Sequence, residues 1–320
     1  MKVLVIRFSS IGDIVLTSPV VRALKEQANA EVHYLTKTPF IPVLEHNPYI
    51  EKIHTISSNF ENTIAELKKE KFDYIIDLHH NLRSLRFKKV LGVTSFSFNK
   101  LNIEKWLLVN LKWNRMPSVH IVDRYLDTCK SLGVKNDDKG LDYYISNEEE
   151  VSMDSLAPIF KQGYIGLVIG AQHSTKRLPL KQLSKICKES TKPIIVLGGK
   201  EDAANGWHLE QIAPNRIYNA CGKYSINQSA SLVKQADVII SNDTGLMHIA
   251  AAFQKRIIMV WGNTMPAFGM YPYKTEHINF EVKGISCRPC SKIGFENCPK
   301  KHFHCMEQQN IDEMVIIANK

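Results

Sequence analysis

The sequence has no apolar run that approaches the roughly 20 residues a membrane-spanning helix needs. The segment from Met1 to Arg7 has too short an apolar stretch for a signal peptide, and it predicts a first β-strand instead. We therefore expect a cytoplasmic protein. Of the 320 residues, 44% are hydrophobic and 23% are charged, which is typical of a globular protein with a buried core. The length favours two domains.

The positive charge of the chain lacks the pattern of a nucleic-acid-binding protein. The formal net charge is +9 and the sequence pI is about 9.1, which suits nucleic acid, an anionic membrane surface or phosphorylated substrates. The basic residues are dispersed, however, with no consecutive basic block and no RNA-binding aromatic signature. For any single lysine we therefore expect a solvated surface position.

Cysteine is scarce, and most of it lies at one end of the chain. There are seven cysteines, an odd number, and disulfides are not expected in the cytoplasm. Four of them have spacings typical of metal ligands, with His302 and His304 among them: Cys287, Cys290, Cys298 and Cys305. Structural zinc is the natural ligand, although the second spacing matches no standard zinc ribbon. The alternatives are packed free thiols or a redox-sensitive pair, and we expect no catalytic role.

Apolar periodicity predicts two successive α/β patterns. The first half has predicted strands at 2–7, 31–36, 53–56 and 74–78, helices at 13–25 (beginning or bending at Ser18) and 61–71, and a mainly helical region at 99–135. The second half has predicted strands at 164–170, 193–197, 238–241 and 256–261, and helices at 180–189, 205–213 and 225–235. Alternating strands and helices favour parallel, doubly wound sheets. We place the domains at 1–155 and 156–320, with a cleft between them.

One polar stretch stands between a predicted strand and a predicted helix. Its sequence is Ser241-Asn242-Asp243-Thr244-Gly245-Leu246-Met247-His248. A helix start offers unpaired backbone N–H groups and the positive end of the helix dipole, so it attracts phosphate. The alternative is an ordinary turn in which Asp243 or Thr244 only caps the helix.

A second polar stretch, Phe8-Ser9-Ser10-Ile11-Gly12-Asp13, follows the first strand. Ser10 and Gly12 can bring backbone N–H groups close to an anion. Asp13 is a candidate general base for a substrate hydroxyl, or a helix cap. The stretch is neither GxGxxG nor GxxxxGK[ST], so it predicts neither a dinucleotide site nor a P-loop.

Two further loops at predicted strand ends contain residues that could bind a nucleotide. Lys176 and Arg177 supply positive charge where a diphosphate would need it, or else form a solvated basic loop. Gly198 and Gly199 permit close backbone approach, and Glu201 after them can accept hydrogen bonds from ribose hydroxyls or stand at a helix start.

Two long motifs resemble those of the glycosyltransferase family 9 heptosyltransferases, which build the lipopolysaccharide inner core. They are residues 7–19, RFSSIGDIVLTSP, and residues 241–251, SNDTGLMHIAA. Residues 77–79 and 120–124 are lesser matches. The resemblance covers essentially the whole chain, and it is much more specific for the family than for the sugar or the acceptor.

The resemblance implies a GT-B fold, with two Rossmann-like domains facing a central cleft. The N-terminal domain would bind the acceptor and the C-terminal domain the nucleotide sugar. It also implies inverting transfer that requires no metal or other cofactor. Asp13 matches the family's proposed catalytic base. The matches to the donor site are Lys176 on the donor phosphates, Glu201 near the ribose, and Asp243, Thr244, Gly245 and His248 at the helix start.

The resemblance also implies partners. The donor would be a nucleotide sugar, with ADP-heptose first, and the acceptor a lipid-linked acidic saccharide reached at the cytoplasmic face of the inner membrane. Candidate acceptor contacts are Ser10, Gly12, Arg83, Arg86 and Arg124. Ala171 and Gln172 depart from the hydroxyl residues of some members, which bears on the identity of the donor.

Two other functions compete with this one. Another GT-B sugar-nucleotide enzyme, such as an epimerase, would share the fold and the donor site. A nucleic-acid or anionic-surface binding module would explain the charge and the cysteine cluster, and it would bind nucleic acid with a steep dependence on salt.

Overall fold

The computed structural model describes residues 1–57 and 59–320. The first 144 residues alternate parallel strands with helices. In chain order the elements are β1 (Lys2–Ile6), α1 (Ile11–Val15), α2 (Ser18–Ala28), β2 (Glu31–Thr36), β3 (Lys52–Thr55), α3 (Phe60–Glu70), β4 (Tyr74–Asp77), α4 (Leu82–Leu91), β5 (Thr94–Ser97), α5 (Asn102–Leu111) and α6 (Ile121–Leu126). Short 3-10 turns connect several of them.

The rest of the chain repeats the alternation. The elements are β6 (Ile165–Val168), α7 (Leu180–Glu189), β7 (Ile194–Leu197), α8 (Ala203–Glu210), β8 (Ile217–Asn219), α9 (Ile226–Gln235), β9 (Val238–Asn242), α10 (Gly245–Ala252), β10 (Arg256–Trp261), β11 (His277–Glu281), α11 (His304–Glu307) and α12 (Ile311–Ala318). Among the described residues, no helix is both long and apolar enough to cross a membrane.

The chain forms two compact units, and each takes in two stretches of sequence. Unit 1 consists of Met1–Lys100 and Val119–Tyr144, and unit 2 of Leu101–Ser118 and Ile145–Lys320. The predicted division at residue 155 therefore differs from this one by the stretch after Tyr144, and α5 groups with unit 2.

The sheet of unit 1 has five parallel strands in the order β3-β2-β1-β4-β5. The central strand, β1, is paired on both sides, with Val3 opposite Val32 of β2 and Tyr74 of β4. Val3, Leu4, Val5 and Ile6 are all fully buried. This continuous apolar run is what a strand covered on both faces requires, which is why it could be recognised in the sequence.

The sheet of unit 2 has six parallel strands in the order β11-β10-β9-β6-β7-β8. Its core joins the strands to α7 and α12, through residues such as Leu167, Ile186 and Met314. Two doubly wound parallel sheets confirm the predicted fold class.

Several helix boundaries follow from local signals in the sequence. The predicted helix 13–25 is interrupted, since α1 ends at Val15 and α2 begins at Ser18 with Pro19 in its first turn, where proline fits best. Ser225 caps α9 by accepting a hydrogen bond from the Gln228 N–H at 3.1 Å.

Other elements were not anticipated. These are the strands β5, β8 and β11 and the helices α4, α11 and α12. β5 has the sequence Thr-Ser-Phe-Ser and is exposed or half-buried, so no apolar run predicts it. β8 has only three residues. Their place at or beside sheet edges explains why the apolar pattern is weak.

Candidate active site

The order of the strands reverses once in each sheet, and three of the four predicted polar loops lie at those two points, after β1, β6 and β9. The fourth, with Glu201, follows the neighbouring strand β7. In unit 1 the chain moves outward from β1 to β3 and then returns to place β4 on the other side of β1. In unit 2 it moves outward from β6 to β8 and returns to place β9 beside β6. Such a reversal leaves a crevice at the carboxyl ends of the two adjacent strands, where α/β proteins bind ligands.

Asp13 lies in the first turn of α1, directly beyond β1, and its carboxylate is held from two sides. Arg7 Nη2 lies 2.7 Å from Asp13 Oδ1. Ser10 donates its Oγ to Asp13 Oδ2 at 2.8 Å and its backbone N–H to the same oxygen at 3.2 Å. The side chain of Asp13 keeps 21% of its surface exposed, so the carboxylate is both fixed and accessible.

Arg7 ties this carboxylate to the rest of unit 1. It is buried, and its Nη1 donates to the Leu78 carbonyl oxygen at 2.6 Å and to the Tyr125 hydroxyl at 3.0 Å. Its Nε donates to the Ser9 carbonyl oxygen at 2.8 Å. These bonds fix the guanidinium against the end of β4 and against α6, so its charge has one position relative to Asp13.

The balance of these contacts sets the ionisation of Asp13. Burial would by itself raise the pKa of Asp13, but the charge of Arg7 and the hydrogen bonds from Ser10 outweigh it, so that this pKa lies below its ordinary value of 3.8. The carboxylate is therefore ionised throughout the neutral range, as an acceptor of a hydroxyl proton must be.

The end of β4 forms the other side of the reversal in unit 1. Asp77 is fully buried, and its carboxylate accepts the Ser84 hydroxyl at 2.7 Å and pairs with Lys88 Nζ at 2.9 Å. The backbone N–H groups of His79 and His80 donate to its Oδ1, at 3.1 and 2.7 Å. Asp77 thus organises the loop that carries His79, which makes the weak motif 77–79 a structural one.

His79 is a residue of this crevice that the sequence analysis did not assign. Its ring lies 4.6 Å from that of Phe8, centroid to centroid, on the loop that leads to Asp13. Burial, with the charges of Arg7 and Lys100, lowers the pKa of His79 to about 4, so the imidazole is neutral at physiological pH. The lesser motif match at 77–79 includes this residue but does not give its position beside Asp13, which depends on the pairing of β1 with β4.

The predicted acceptor contacts have different surroundings within unit 1. Ser10 is bound to Asp13, and Gly12 is buried in α1. Arg83 and Arg86 are exposed on α4, and Arg86 stacks over the Phe60 ring at 4.4 Å. Arg124 is buried on α6 and donates its Nη1 to the Asn99 carbonyl oxygen at 3.2 Å.

In unit 2 the reversal brings together two predicted donor residues that are 67 positions apart. Lys176 Nζ lies 2.6 Å from Asp243 Oδ2, and the Thr264 hydroxyl donates to the same oxygen at 3.2 Å. Asn242 Nδ2 donates to the Gly170 carbonyl oxygen at 3.0 Å, which joins the ends of β9 and β6. Asp243 therefore positions the ammonium group of Lys176.

The start of α10 lies directly beyond Asp243. Thr244 occupies the N-cap and Gly245 the first helical position, and within the described chain the Thr244 side chain makes no capping hydrogen bond. Thr244 therefore does not cap the helix through its side chain, and the Asp243 carboxylate accepts from Lys176 and Thr264. The first turn of α10 carries no acidic residue, and His248 is buried one turn further along. A helix start of this kind suits an anion.

The loop after β7 contains two neighbouring carboxylates with different roles. Asp202 is buried, accepts the Gly199 N–H at 2.9 Å and pairs with Arg177 Nη1 at 3.0 Å. Burial raises the pKa of Asp202, although the Gly199 N–H and Arg177 oppose this. Glu201 is exposed. Asp202 therefore holds the loop in place, and Glu201 is left at its surface.

Comparisons with known proteins give the family of this chain. The family model described as glycosyltransferase family 9 (heptosyltransferase) matches residues 62–301. The chain belongs to glycosyltransferase family 9. It is 24% identical to lipopolysaccharide heptosyltransferase 1 of Campylobacter coli, over 82% of this chain and 84% of that protein. It is 25% identical to lipooligosaccharide heptosyltransferase 2 of Haemophilus influenzae, over 84% and 85%.

A solved structure supports the same fold. The Escherichia coli ADP-heptose lps heptosyltransferase II aligns with a TM-score of 0.70 at 18% identity, over 100% of both chains. The fold is accordingly GT-B, with two Rossmann-like units. The family makes the chain a glycosyltransferase of the heptosyltransferase type, as its two long motifs predict.

Asn263 is a second residue that the sequence analysis missed. It follows β10 in this family 9 chain, next to Thr264, and is 2% exposed. Within the described structure, neither its amide nitrogen nor its amide oxygen has a hydrogen-bond partner. A buried amide in this state is costly, and its neighbour Thr264 touches Asp243.

The cysteine-rich tail supports the loops around Lys176 and Asp243. Arg288 donates to the carbonyl oxygens of Gly262 and Thr264, at 2.6 and 3.0 Å. Thr175 donates its N–H and hydroxyl to the Phe295 carbonyl oxygen, and its hydroxyl oxygen accepts the Phe295 N–H at 2.8 Å. The tail thereby fixes the segment that precedes Lys176.

The tail cysteines lie near one another, but their ligand atoms are too far apart to coordinate one metal ion in the described structure. Cys287 Sγ lies 3.7 Å from His302 Nε2. Burial and the neighbouring Cys287 raise the pKa of Cys290 to about 12. Over residues 1–57 and 59–320, no three tail cysteines and histidines have ligand atoms all within 4.8 Å of one another. Structural zinc at this tail stays a prediction.

A tighter group of ligand atoms lies elsewhere, in unit 1. His33, His54 and Glu70 have ligand atoms within 4.8 Å of one another. Glu70, however, already pairs with Lys2 at 3.2 Å and Lys52 at 2.6 Å, so its charge is matched. The two rings hydrogen-bond at 2.9 Å between His33 Nδ1 and His54 Nε2. We interpret this group as a structural cluster.

We predict that Arg7→Met raises the pKa of Asp13. The substitution removes the positive charge that offsets burial, and burial alone favours the protonated acid. Titration of the Asp13 side-chain carbon by NMR should show a higher pKa in the variant than in the native protein, where the pKa lies below 3.8. Arg7→Lys, which keeps the charge, should stay nearer to the native value. An unchanged pKa in Arg7→Met would show that Ser10 alone keeps Asp13 ionised.

Proposed function

We propose that the protein transfers heptose from ADP-heptose to a saccharide acceptor of the lipopolysaccharide inner core, with inversion and without a catalytic metal. The observation that carries this proposal is the pair Lys176–Asp243 beside the start of α10, at the strand reversal of unit 2. The relatives are lipopolysaccharide and lipooligosaccharide heptosyltransferases, which supports heptose and a lipopolysaccharide acceptor, and the Escherichia coli ADP-heptose heptosyltransferase II supports an ADP-linked donor.

The donor site has the charges that a departing nucleoside diphosphate needs. As the bond between sugar and phosphate breaks, negative charge accumulates on the diphosphate. The ammonium of Lys176 and the backbone N–H groups of Thr244 and Gly245 would meet that charge. Asp243 holds Lys176 in place before the donor arrives, so little reorganisation is required. This arrangement can do the work that a divalent cation does in other transferases, which is the basis for proposing metal independence.

The remaining donor assignments follow from the loops around this pair. Glu201, exposed beyond β7, would accept hydrogen bonds from the ribose hydroxyls. His248, buried in α10, would support the helix start from within. Residues 156–320 would form the donor domain and residues 1–155 the acceptor domain.

Asp13 would act as the general base. Its ionised carboxylate would accept the proton of the acceptor hydroxyl as that oxygen attacks the anomeric carbon from the side opposite the diphosphate. One displacement from that side inverts the anomeric centre. The low pKa of Asp13 makes it a weak base at rest, which suits a hydroxyl that becomes acidic only as the new bond forms.

The acceptor would be a phosphorylated saccharide on lipid A. Arg83 and Arg86 are exposed and so available to its phosphates, with solvated surface as their alternative role. Arg124 is buried and would contribute through its fixed charge. We place the reaction at the cytoplasmic face of the inner membrane.

We predict that Asp13→Asn lowers kcat for heptose transfer by a factor on the order of 10² to 10⁴, the usual contribution of a general base. The amide keeps the shape of the side chain but cannot accept the proton. Binding of ADP-heptose, measured by calorimetry, should stay within about twofold because the substitution leaves unit 2 intact. Asp127→Asn, at an exposed carboxylate of unit 1, is the matched control and should be fully active. Near-native transfer by Asp13→Asn would refute the role of Asp13.

We predict that Lys176→Met weakens ADP-heptose binding. It should also lower kcat for transfer by a factor of about 10² to 10³, as expected for losing a group that stabilises transition-state charge. Steady-state kinetics of ADP release measures both. Lys181→Met, at an exposed lysine on α7, is the control and should behave as the native enzyme. Equal kinetics for the two variants would contradict the proposal that the diphosphate binds beside Lys176.

A further inference from the structure

The helix α5 turns its apolar side outward. Ile103, Trp106 and Leu111 are 74%, 57% and 58% exposed, whereas Leu108 is buried. Ile103, Trp106 and Asn110 share one face of the helix because they are spaced by three and four residues. The first two of them are large and apolar. A surface helix of a globular protein has the opposite arrangement, with its apolar stripe against the core.

The chain beyond α5 continues this exposed surface. Trp113 is 51% exposed, and the Arg115 guanidinium lies over its ring at 4.1 Å. Tryptophan with a cation beside it is suited to the boundary between lipid headgroups and acyl chains. Exposed apolar patches of this kind mark interaction surfaces.

The same segment carries positive charge. Lys105, Lys112 and Arg115 lie within residues 102–115, against the one acidic residue Glu104. Lys300 of the tail lines the same small surface cavity as Lys112. Lys112 Nζ also donates to the carbonyl oxygens of Cys287 and Pro289, at 3.1 and 2.7 Å. These bonds anchor the end of α5 to the tail within unit 2, so the surface is preformed.

We propose that residues 102–115 are a docking surface for an anionic lipid bilayer. The apolar side chains Ile103, Trp106 and Trp113 would enter the headgroup region, Lys105 and Arg115 would meet the lipid phosphates, and Lys112 would anchor the surface to the tail. Charge decides between this occupant and a second copy of the chain. A symmetric dimer would bring two basic surfaces together, whereas an acidic membrane complements them. The proposal rests on the proposed function for the location at the inner membrane. It is independent of the donor and base assignments, since no residue of this surface belongs to either.

Vesicle co-flotation tests the proposal on the full-length protein. The protein should bind strongly to phosphatidylcholine vesicles that contain phosphatidylglycerol and weakly to vesicles of phosphatidylcholine alone. Added salt should weaken binding to the anionic vesicles. The variant Ile103→Ser/Trp106→Ser should lose at least about tenfold in affinity for the anionic vesicles, as removal of the inserted apolar groups requires. Trp207→Ser is the matched control, because Trp207 is a 60% exposed tryptophan on α8 of the same unit.

A second variant tests the proposal even if Ile103→Ser/Trp106→Ser folds poorly. Lys105→Gln/Arg115→Gln leaves the apolar face intact and should reduce binding to anionic vesicles while leaving thermal unfolding unchanged. The proposal is overturned if the native protein fails to bind anionic vesicles. It is also overturned if both double variants bind like Trp207→Ser, or if gel filtration shows that Ile103→Ser/Trp106→Ser only converts a dimer to a monomer. Heptose transfer to a lipid-free acceptor fragment, measured alongside, reports separately on the proposed function.

Discussion

The reversal of strand order within each parallel sheet is the constraint on which the rest of this structure depends. Because parallel strands end at the same edge, the reversal leaves two adjacent strand ends without a covering connection. In unit 1 these are the ends of β1 and β4, which carry Asp13 and His79. In unit 2 they are the ends of β6 and β9, which lead to Lys176 and Asp243. Residues far apart in sequence meet there because backbone pairing requires it.

Each crevice then uses a fixed ion pair to keep one functional charge in place. Arg7 holds Asp13 ionised, and Asp243 holds Lys176 where negative charge would develop. Both pairs are partly shielded from water, so the attraction between their charges is less screened, but the charges also lose hydration and need further hydrogen bonds. Arg7 meets that need through Leu78 and Tyr125, and Asp243 through Thr264. The cysteine-rich tail extends the same support, since Arg288 and Phe295 bind the loops next to the pair in unit 2.

The sequence sufficed for features that local physics determines. Buried parallel strands have continuous apolar runs, as in β1 and β9, and polar helix starts mark the loops that follow, so the fold class and the Lys176 and Asp243 loops were predictable. The surroundings of His79 and Asn263 were not predictable, because they come from strands that pair across long stretches of chain. The outward apolar face of α5 was also hidden, since the same Ile-Trp-Leu spacing would predict a buried helix. The geometry of the tail cysteines depends on loop conformation, which spacing alone does not determine.

The central claim is that a nucleotide-linked heptose is transferred in one metal-free displacement with Asp13 as base. The most direct measurement is NMR of the product formed from ADP-heptose and an inner-core acceptor in the presence of a chelator. We expect a single new glycosidic linkage whose anomeric configuration is opposite to that of the donor, formed at the rate seen without chelator. A product with retained configuration, or transfer that stops when metal is removed, would contradict it.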